Sequence, residues 1–312
     1  MSLGLSTDRP GASQPFLLFD GAVRGRLVRL NGVADAILGR HTYPDAVSRI
    51  LGEAMAAGVA LAGGLKFDGS FTFQLQGDGP LHTLVTDITS NHEIRGCAKF
   101  REEDLPAESD GHSASLTQLV GSGHIAFTVD QGPDMDRYQG IIELAGTSIG
   151  ECIHHYFRQS EQLETAVKIA AGRVTDADGS DTWQVAALLV QRMPAEGGKK
   201  PTEADEDAWR SAVILMSSIT DMELLNPALT EEDLLRRLYG TVGGRLLECR
   251  ELTVGCRCSR ERSAKILASF PMDEVRSMSV DGKVSMTCEF CEISFDFSDA
   301  ELDDLERKFG IL

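Results

Sequence analysis

The chain has 312 residues, enough for a substantial core and two domains, and its 42% hydrophobic and 25% charged content is that of an ordinary globular protein. Its formal net charge of −18 repels phosphate backbones and anionic lipid surfaces, which argues against nucleic acid and membrane as partners. No basic module hides in the acidic whole, because Arg250 to Leu312 carries nine Lys/Arg against thirteen Asp/Glu.

The segment Met1 to Gln14 is polar and lacks the apolar core of a signal peptide. The longest apolar run, Ala54 to Leu65, contains three glycines and falls short of the ~20 residues a spanning helix needs. The expectation is a cytoplasmic protein in a reducing compartment, where thiols serve as metal ligands rather than disulfides.

Val23 to Leu30 alternates with the period of a strand. Thr42 and Pro44 then mark a helix start, and Val47, Ile50, Leu51, Ala54, Met55, Val59, Ala62 and Leu65 follow at helical spacing. The glycines and alanines between them, Gly52 and Gly58 included, predict a buried helix that another element can approach closely. From Phe67 the period changes to two. Phe71, Phe73 and Leu75, then Leu81 to Ile88, Ile94 to Phe100, His124 to Val129 and Tyr138 to Leu144 read as strands joined by tight turns. Hairpins dominate, so the fold class is α+β with a largely antiparallel sheet. Gly77-Asp78-Gly79 and Gly121-Ser122-Gly123 lack the Lys-Ser/Thr or helix start of a phosphate loop and read as turns.

Ser148 to Arg158 predicts a helix on which His154 and His155, being adjacent, cannot both face one metal. Asp176 to Gly179 opens like a calcium loop without its terminal acid, so it reads as a hairpin turn, and Trp183 to Met193 as the last core strand. Pro194 to Pro201 has linker composition. Beyond it, Glu203 to Ile219 and Thr230 to Tyr239 predict short charged helices, the second opened by a Thr230/Asp233 capping box. Their apolar stripes, including Trp209, Met216, Leu234 and Leu238, need a partner surface, which makes this region the first expected to melt. The expected organisation is a core over 1–193, a helical linker over 194–245 and a small module over 246–312.

That module carries Cys256 and Cys258 in C-R-C and, after a gap of 29 residues, Cys288 and Cys291 in C-E-F-C. Two close pairs on separate segments suit a tetrahedral four-thiolate zinc site, one Zn²⁺ per chain. Two structural disulfides, or four unrelated thiols, are the alternatives. Four thiolates leave no coordination position for water, and no Ser-His-Asp or paired-carboxylate pattern occurs elsewhere, so no enzyme is expected. Cys97, Cys152 and Cys249 are expected to be small buried or partly buried thiols, Cys249 being the one near enough in sequence to exchange with the four.

The run from Cys256 to Arg262 (C-R-C-S-R-E-R), followed by C-E-F-C, resembles the redox-switch signature of the thirty-three-kilodalton heat-shock chaperones of bacteria. The resemblance extends along the chain: L-K-F-D-G at Leu65 to Gly69, Q-L-Q-G-D-G-P at Gln74 to Pro80, R-Y-Q-G at Arg137 to Gly140 and R-R-L-Y at Arg236 to Tyr239. It implies a redox-regulated, ATP-independent holdase that is inactive while reduced and zinc-bound. Oxidation to the disulfides Cys256–Cys258 and Cys288–Cys291 would release zinc, unfold the switch module and the linker, and yield a homodimer that holds unfolding client proteins. The other function open to the residues alone is a constitutive zinc-ribbon protein-binding module. Two features stand apart from the family pattern. Glu292 follows Cys291 where zinc knuckles commonly place Gly for its freedom at positive φ, and the acidic stretch Asp299 to Glu306 has no assigned role.

Overall fold

A computed structural model describes residues 10–106, 114–131, 137–144, 146–161, 163–175, 179–194 and 202–309. Residues 1–9 of the N-terminal polar segment, most of the 194–201 linker stretch and Asp176 to Asp178 of the calcium-like turn lie outside the described residues, while Gly11 to Gln14 of that segment belong to a strand. The chain divides into two compact units, 1–254 and 255–312.

The first unit opens with the hairpin β1 (Gly11–Leu18) and β2 (Val23–Arg29). The helices α1 (Gly32–Leu38) and α2 (Asp45–Ala62) follow, then β3 (Ser70–Gly77), β4 (Leu81–Thr89) and β5 (Glu93–Phe100). Next come α3 (Leu116–Val120), β6 (Gly123–Asp130), β7 (Tyr138–Glu143) and α4 (Ile149–Tyr156), which runs into a π-helical segment, Phe157–Glu161. The strands β8 (Thr165–Thr175) and β9 (Asp181–Arg192) precede α5 (Glu203–Ser217), α6 (Asp221–Leu224) and α7 (Glu231–Tyr239). Short strands β10 (Gly244–Leu246) and β11 (Arg250–Val254) end the unit.

All eleven strands form one sheet in the order β7-β6-β3-β4-β5-β11-β1-β2-β9-β8, with β10 beside β1. Every pairing is antiparallel except β5 with β11, so the α+β class with a largely antiparallel sheet holds. Because β10 and β11 pair with β1, the sheet continues past Arg245, where the sequence reading starts the cysteine module.

One face of the sheet wraps α2, which packs against β2, β3, β4, β5, β8 and β9. Small residues make that approach possible: a Cβ at Gly52 would lie 2.8 Å from Val185, and one at Gly58 would lie 2.9 Å from Ile88. The opposite face of β1, β2, β8 and β9 carries Phe16, Leu18, Val23, Leu27, Ala170 and Leu188 at alternating positions, covered by α5, α6 and α7. The helices contribute Ala212, Met216, Leu224, Leu234, Leu235 and Tyr239, and the link between α5 and α6 adds Ile219. Phe16 lies opposite Gly25, whose missing side chain leaves room for the ring. Polar contacts tie the helices down. Arg192 pairs with Glu206 at 2.7 Å and Lys168 with Asp221 at 3.1 Å. Arg29, 2% exposed, donates to the carbonyl of Leu224 at 3.0 Å and to those of Asn226 and Leu229.

The second unit contains α8 (Arg260–Leu267), α9 (Met272–Ser277), the hairpin of β12 (Lys283–Thr287) and β13 (Ser294–Ser298), and α10 (Asp299–Phe309). Its buried apolar core is Leu267, Val275, Val284, Phe297 and Leu302. The acidic stretch after Ser298 is thus a helix with work to do. Arg276 pairs with Asp303 at 2.7 Å and Glu306 at 2.6 Å, and Arg260 with Glu301 at 2.5 Å.

Candidate metal centre

Cys256 and Cys258 occupy an irregular segment that ends where the Ser259 hydroxyl accepts from the Arg262 amide, at 3.2 Å, and caps α8. Cys288 and Cys291 lie in the turn between β12 and β13. There the Cys288 amide donates to Ile293 O at 3.0 Å, and the Glu292 amide donates to Cys288 O at 2.8 Å. This closes a tight knuckle in which Glu292 adopts φ 58, the left-handed conformation that glycine takes without a steric penalty. The sequence pointed to the position, and the structure places a glutamate there at that penalty.

The fold brings all four sulfurs together, within 4.8 Å of one another. Sγ of Cys256 is 3.6 Å from that of Cys288, and Sγ of Cys258 is 3.4 Å from that of Cys291. Such a cluster can hold a metal ion. A tetrahedron of sulfurs about 2.3 Å from its centre has edges of about 3.8 Å, close to the distances present. Among the described residues it is the one group of three or more His, Cys, Asp or Glu side chains that converges in this way.

Three of the four cysteines are half-buried and Cys291 is buried. The sulfurs share charge unequally. Burial works against the Cys256 thiolate, but hydrogen bonds from the Cys258 backbone and from the three other thiols bring it down to about 7. Cys258 is pushed up, first by burial and then by its hydrogen bonds to Cys291, Cys256 and Cys288. Cys291 is also raised, chiefly by burial. Like-charge repulsion disfavours a second thiolate beside the first, and a cation among the sulfurs would relieve it.

Arg257, Arg260 and Arg262 lie beside the first cysteine pair in sequence. Two of them are engaged elsewhere. Arg260 donates to Asp296 O at 2.7 Å, pairs with Glu301 and lies 4.6 Å from the Phe297 ring centre, while Arg262 donates to Arg257 O at 2.9 Å. Cys97 and Cys152 are buried as expected, but Cys249 is exposed, because it sits in the short link between β10 and β11. His154 faces solvent and its Nδ1 lies 2.8 Å from Thr165 O, so it joins no metal site.

Comparison with known proteins accounts for the same features. The family model described as Hsp33 protein matches residues 12–298. A 33 kDa chaperonin of Caulobacter vibrioides is 38% identical over 271 residues, covering 86% of this chain and 88% of its own. A 33 kDa chaperonin of Ectopseudomonas mendocina is 36% identical over 295 residues, covering 94% of each chain. The crystal structure of a 33 kDa chaperonin from Thermotoga maritima, a heat shock protein 33 homolog, aligns with TM-score 0.80 at 23% identity, covering 96% of this chain and 99% of that one, and so shares the fold. Matched by that model over nearly its whole length, and by chaperonins above 30% identity, the chain belongs to the Hsp33 family of chaperones.

Proposed function

We propose that this chaperone is a redox-regulated, ATP-independent holdase whose switch is one Zn²⁺ held by Cys256, Cys258, Cys288 and Cys291. The observation that carries the reading is the convergence of four sulfurs on a unit whose own apolar core is five side chains. So small a core stabilises little by itself, whereas structural zinc contributes on the order of 10–16 kcal/mol of apparent folding free energy. Zinc is favoured over harder cations because the donor set is all thiolate. It would balance the charge of four sulfurs that cannot otherwise ionise together.

Oxidation removes the donors. A thiolate attacks one oxygen of peroxide, giving a sulfenic acid and hydroxide, and a second thiolate displaces hydroxide from that sulfur to form the disulfide. Each disulfide consumes one peroxide, two thiolates and two protons and yields two waters. The proposed pairs are Cys256–Cys258 and Cys288–Cys291, each within one segment. Neither pair bridges the two segments, so the module loses its cross-link along with the ion.

The path to activity runs back along the chain. Val254, the last residue of β11, is two positions from Cys256, and β11 is held by pairings of only three residues with β1 and two with β5. Segment 194–245 would act as the linker, and 246–312 as the switch region. Release of α5 to α7 uncovers the alternating apolar face of β1, β2, β8 and β9, a surface suited to unfolding client segments and to a second copy of the chain.

The test is to purify the protein in reducing buffer, measure bound zinc, then treat it with peroxide at mild heat. One zinc per chain, its release on oxidation and the onset of client protection support the reading. A protein that holds no zinc when reduced, or protects clients equally before and after oxidation, would overturn it.

A further inference from the structure

Away from the cysteines, the first unit contains a cleft of about 250 Å³ whose charged lining is entirely basic. Arg26 enters it from β2, Lys66 from the segment after α2, His92 from the turn before β5, and Arg250 from β11. The hydroxyl residues Ser13, Thr89 and Ser90 complete the polar wall, and no Asp or Glu lines it among the described residues.

In a chain of net charge −18, cations without acids need a reason. Several arginines elsewhere in this unit find carboxylates: Arg49 pairs with Glu53 at 2.9 Å and Arg192 with Glu164 at 2.7 Å. Arg26 instead donates to Ser13 Oγ at 3.0 Å and to the Gly63 carbonyl, while neighbouring Arg24 donates to Gln191 Oε1 at 2.7 Å. These partners are neutral. Among the described residues neither Arg24, Arg26, Lys66 nor Arg250 forms an ion pair. Behind the hydroxyl wall, Ser90 Oγ donates to Asp68 Oδ1 at 3.4 Å.

The cations work against one another. Burial first, then the charges of Arg250 and Arg24, lower Arg26 to about 10. Burial, followed by Arg250 and Arg26, likewise lowers His92. An incoming dianion would reverse each repulsion and meet several N–H and O–H donors at once.

We infer that this cleft binds the phosphoryl group of a small phosphate-bearing molecule. The guanidinium of Arg26, held in place by Ser13 and Gly63, supplies the fixed donor. Lys66 and Arg250, both exposed, close over the anion from the rim. The cleft's size favours a single phosphoryl or diphosphoryl group, and the chain's overall negative charge opposes long polyanions.

The probes are inorganic phosphate and pyrophosphate, titrated into the full-length reduced protein against chloride and acetate at matched ionic strength, with calorimetry and phosphorus NMR as readouts. Saturable binding of a phosphate probe, absent for acetate, is expected. R250E and K66E should each weaken it roughly tenfold, whereas K283E, with the same charge change on the other unit, should leave it intact. Both rim residues are exposed, so the variants are expected to fold, and unchanged circular dichroism checks this. An adventitious ion only, seen as non-saturable binding, equal response to acetate, or equal loss in K283E, would overturn the inference.

Discussion

The ring of Tyr239, near the end of α7, lies 5.6 Å from the ring of Phe16 on β1, and its hydroxyl donates to Ala212 O of α5 at 3.4 Å. One side chain thus joins α5 and α7 to the sheet. Tyr239 is 2% exposed, and burial pushes its phenol well above the ordinary value. Truncating a large buried aromatic costs about 3–5 kcal/mol, more than helices this short can supply by themselves. Y239A should therefore release α5 to α7 in the reduced, metal-bound protein. Amide hydrogen exchange would show lost protection in those helices, and light scattering would show client protection without oxidant. Wild-type protection of the helix amides would count against the linker's docking role.

A second expectation concerns Arg29. Replacement by methionine keeps much of the volume but leaves the carbonyls of Leu224, Asn226 and Leu229 without this donor. Buried acceptors left unmet cost about 1–3 kcal/mol each; Asn226 O keeps the Leu229 amide at 3.2 Å, so with two carbonyls left unmet R29M should lose on the order of 2 kcal/mol or more. Urea unfolding followed at Trp209 of α5 would read the loss. A midpoint within error of the parent would show that the guanidinium contributes no net stability.

At the knuckle, Glu292 holds a backbone conformation that costs a side-chain-bearing residue about 1–2 kcal/mol. E292G should recover about 1 kcal/mol of this, after allowing for glycine's greater freedom in the unfolded chain. That gain corresponds to roughly fivefold tighter metal binding. Competition with a chromophoric chelator would measure it, and a higher peroxide dose should then be needed to release the ion. Weaker binding in E292G would mean that the glutamate side chain contributes something the backbone geometry does not reveal.

Acid should act on the second unit through Glu301. Its carboxylate accepts from the Ser298 amide at 2.9 Å and pairs with Arg260, which hold it down to about 2 from an ordinary 4.5. A depressed folded-state value means that the contribution is complete above about pH 4.5 and lost as pH falls toward 2. Comparing the wild type with E301Q should give stability curves that differ at neutral pH and converge on acidification. Parallel curves across that range would exclude the carboxylate as the cause.

Much of the architecture could be read from residue order because the signals are local. Phe71, Phe73 and Leu75 alternate as β3 does, and the small-residue helix after Pro44 is α2. The strand β8 gave no such signal. Ala170, Ala171 and Gly172 have little intrinsic strand preference, and full-length pairing with β9 overrides it. The helix α10 was hidden for a related reason. Its acidic surface reads as a tail until Arg260 and Arg276, distant in sequence, are seen opposite it. The approach of the four cysteines was legible in their paired spacing. The Arg29 clamp and the basic cleft were not, since each joins residues distant in sequence, from strands, turns and helix ends, that only the tertiary fold brings together.

Arg29 also shapes what is revealed if the linker departs. Inside the resting molecule its charge is met by helix-end carbonyls, and nothing distinguishes that face from any other interior. With those carbonyls gone, the Arg29 guanidinium, at the end of β2, would border the apolar face that the helices had covered. Such a charge resists burial against a purely apolar segment. It would also bias capture toward unfolded segments that carry an acidic residue beside their apolar ones.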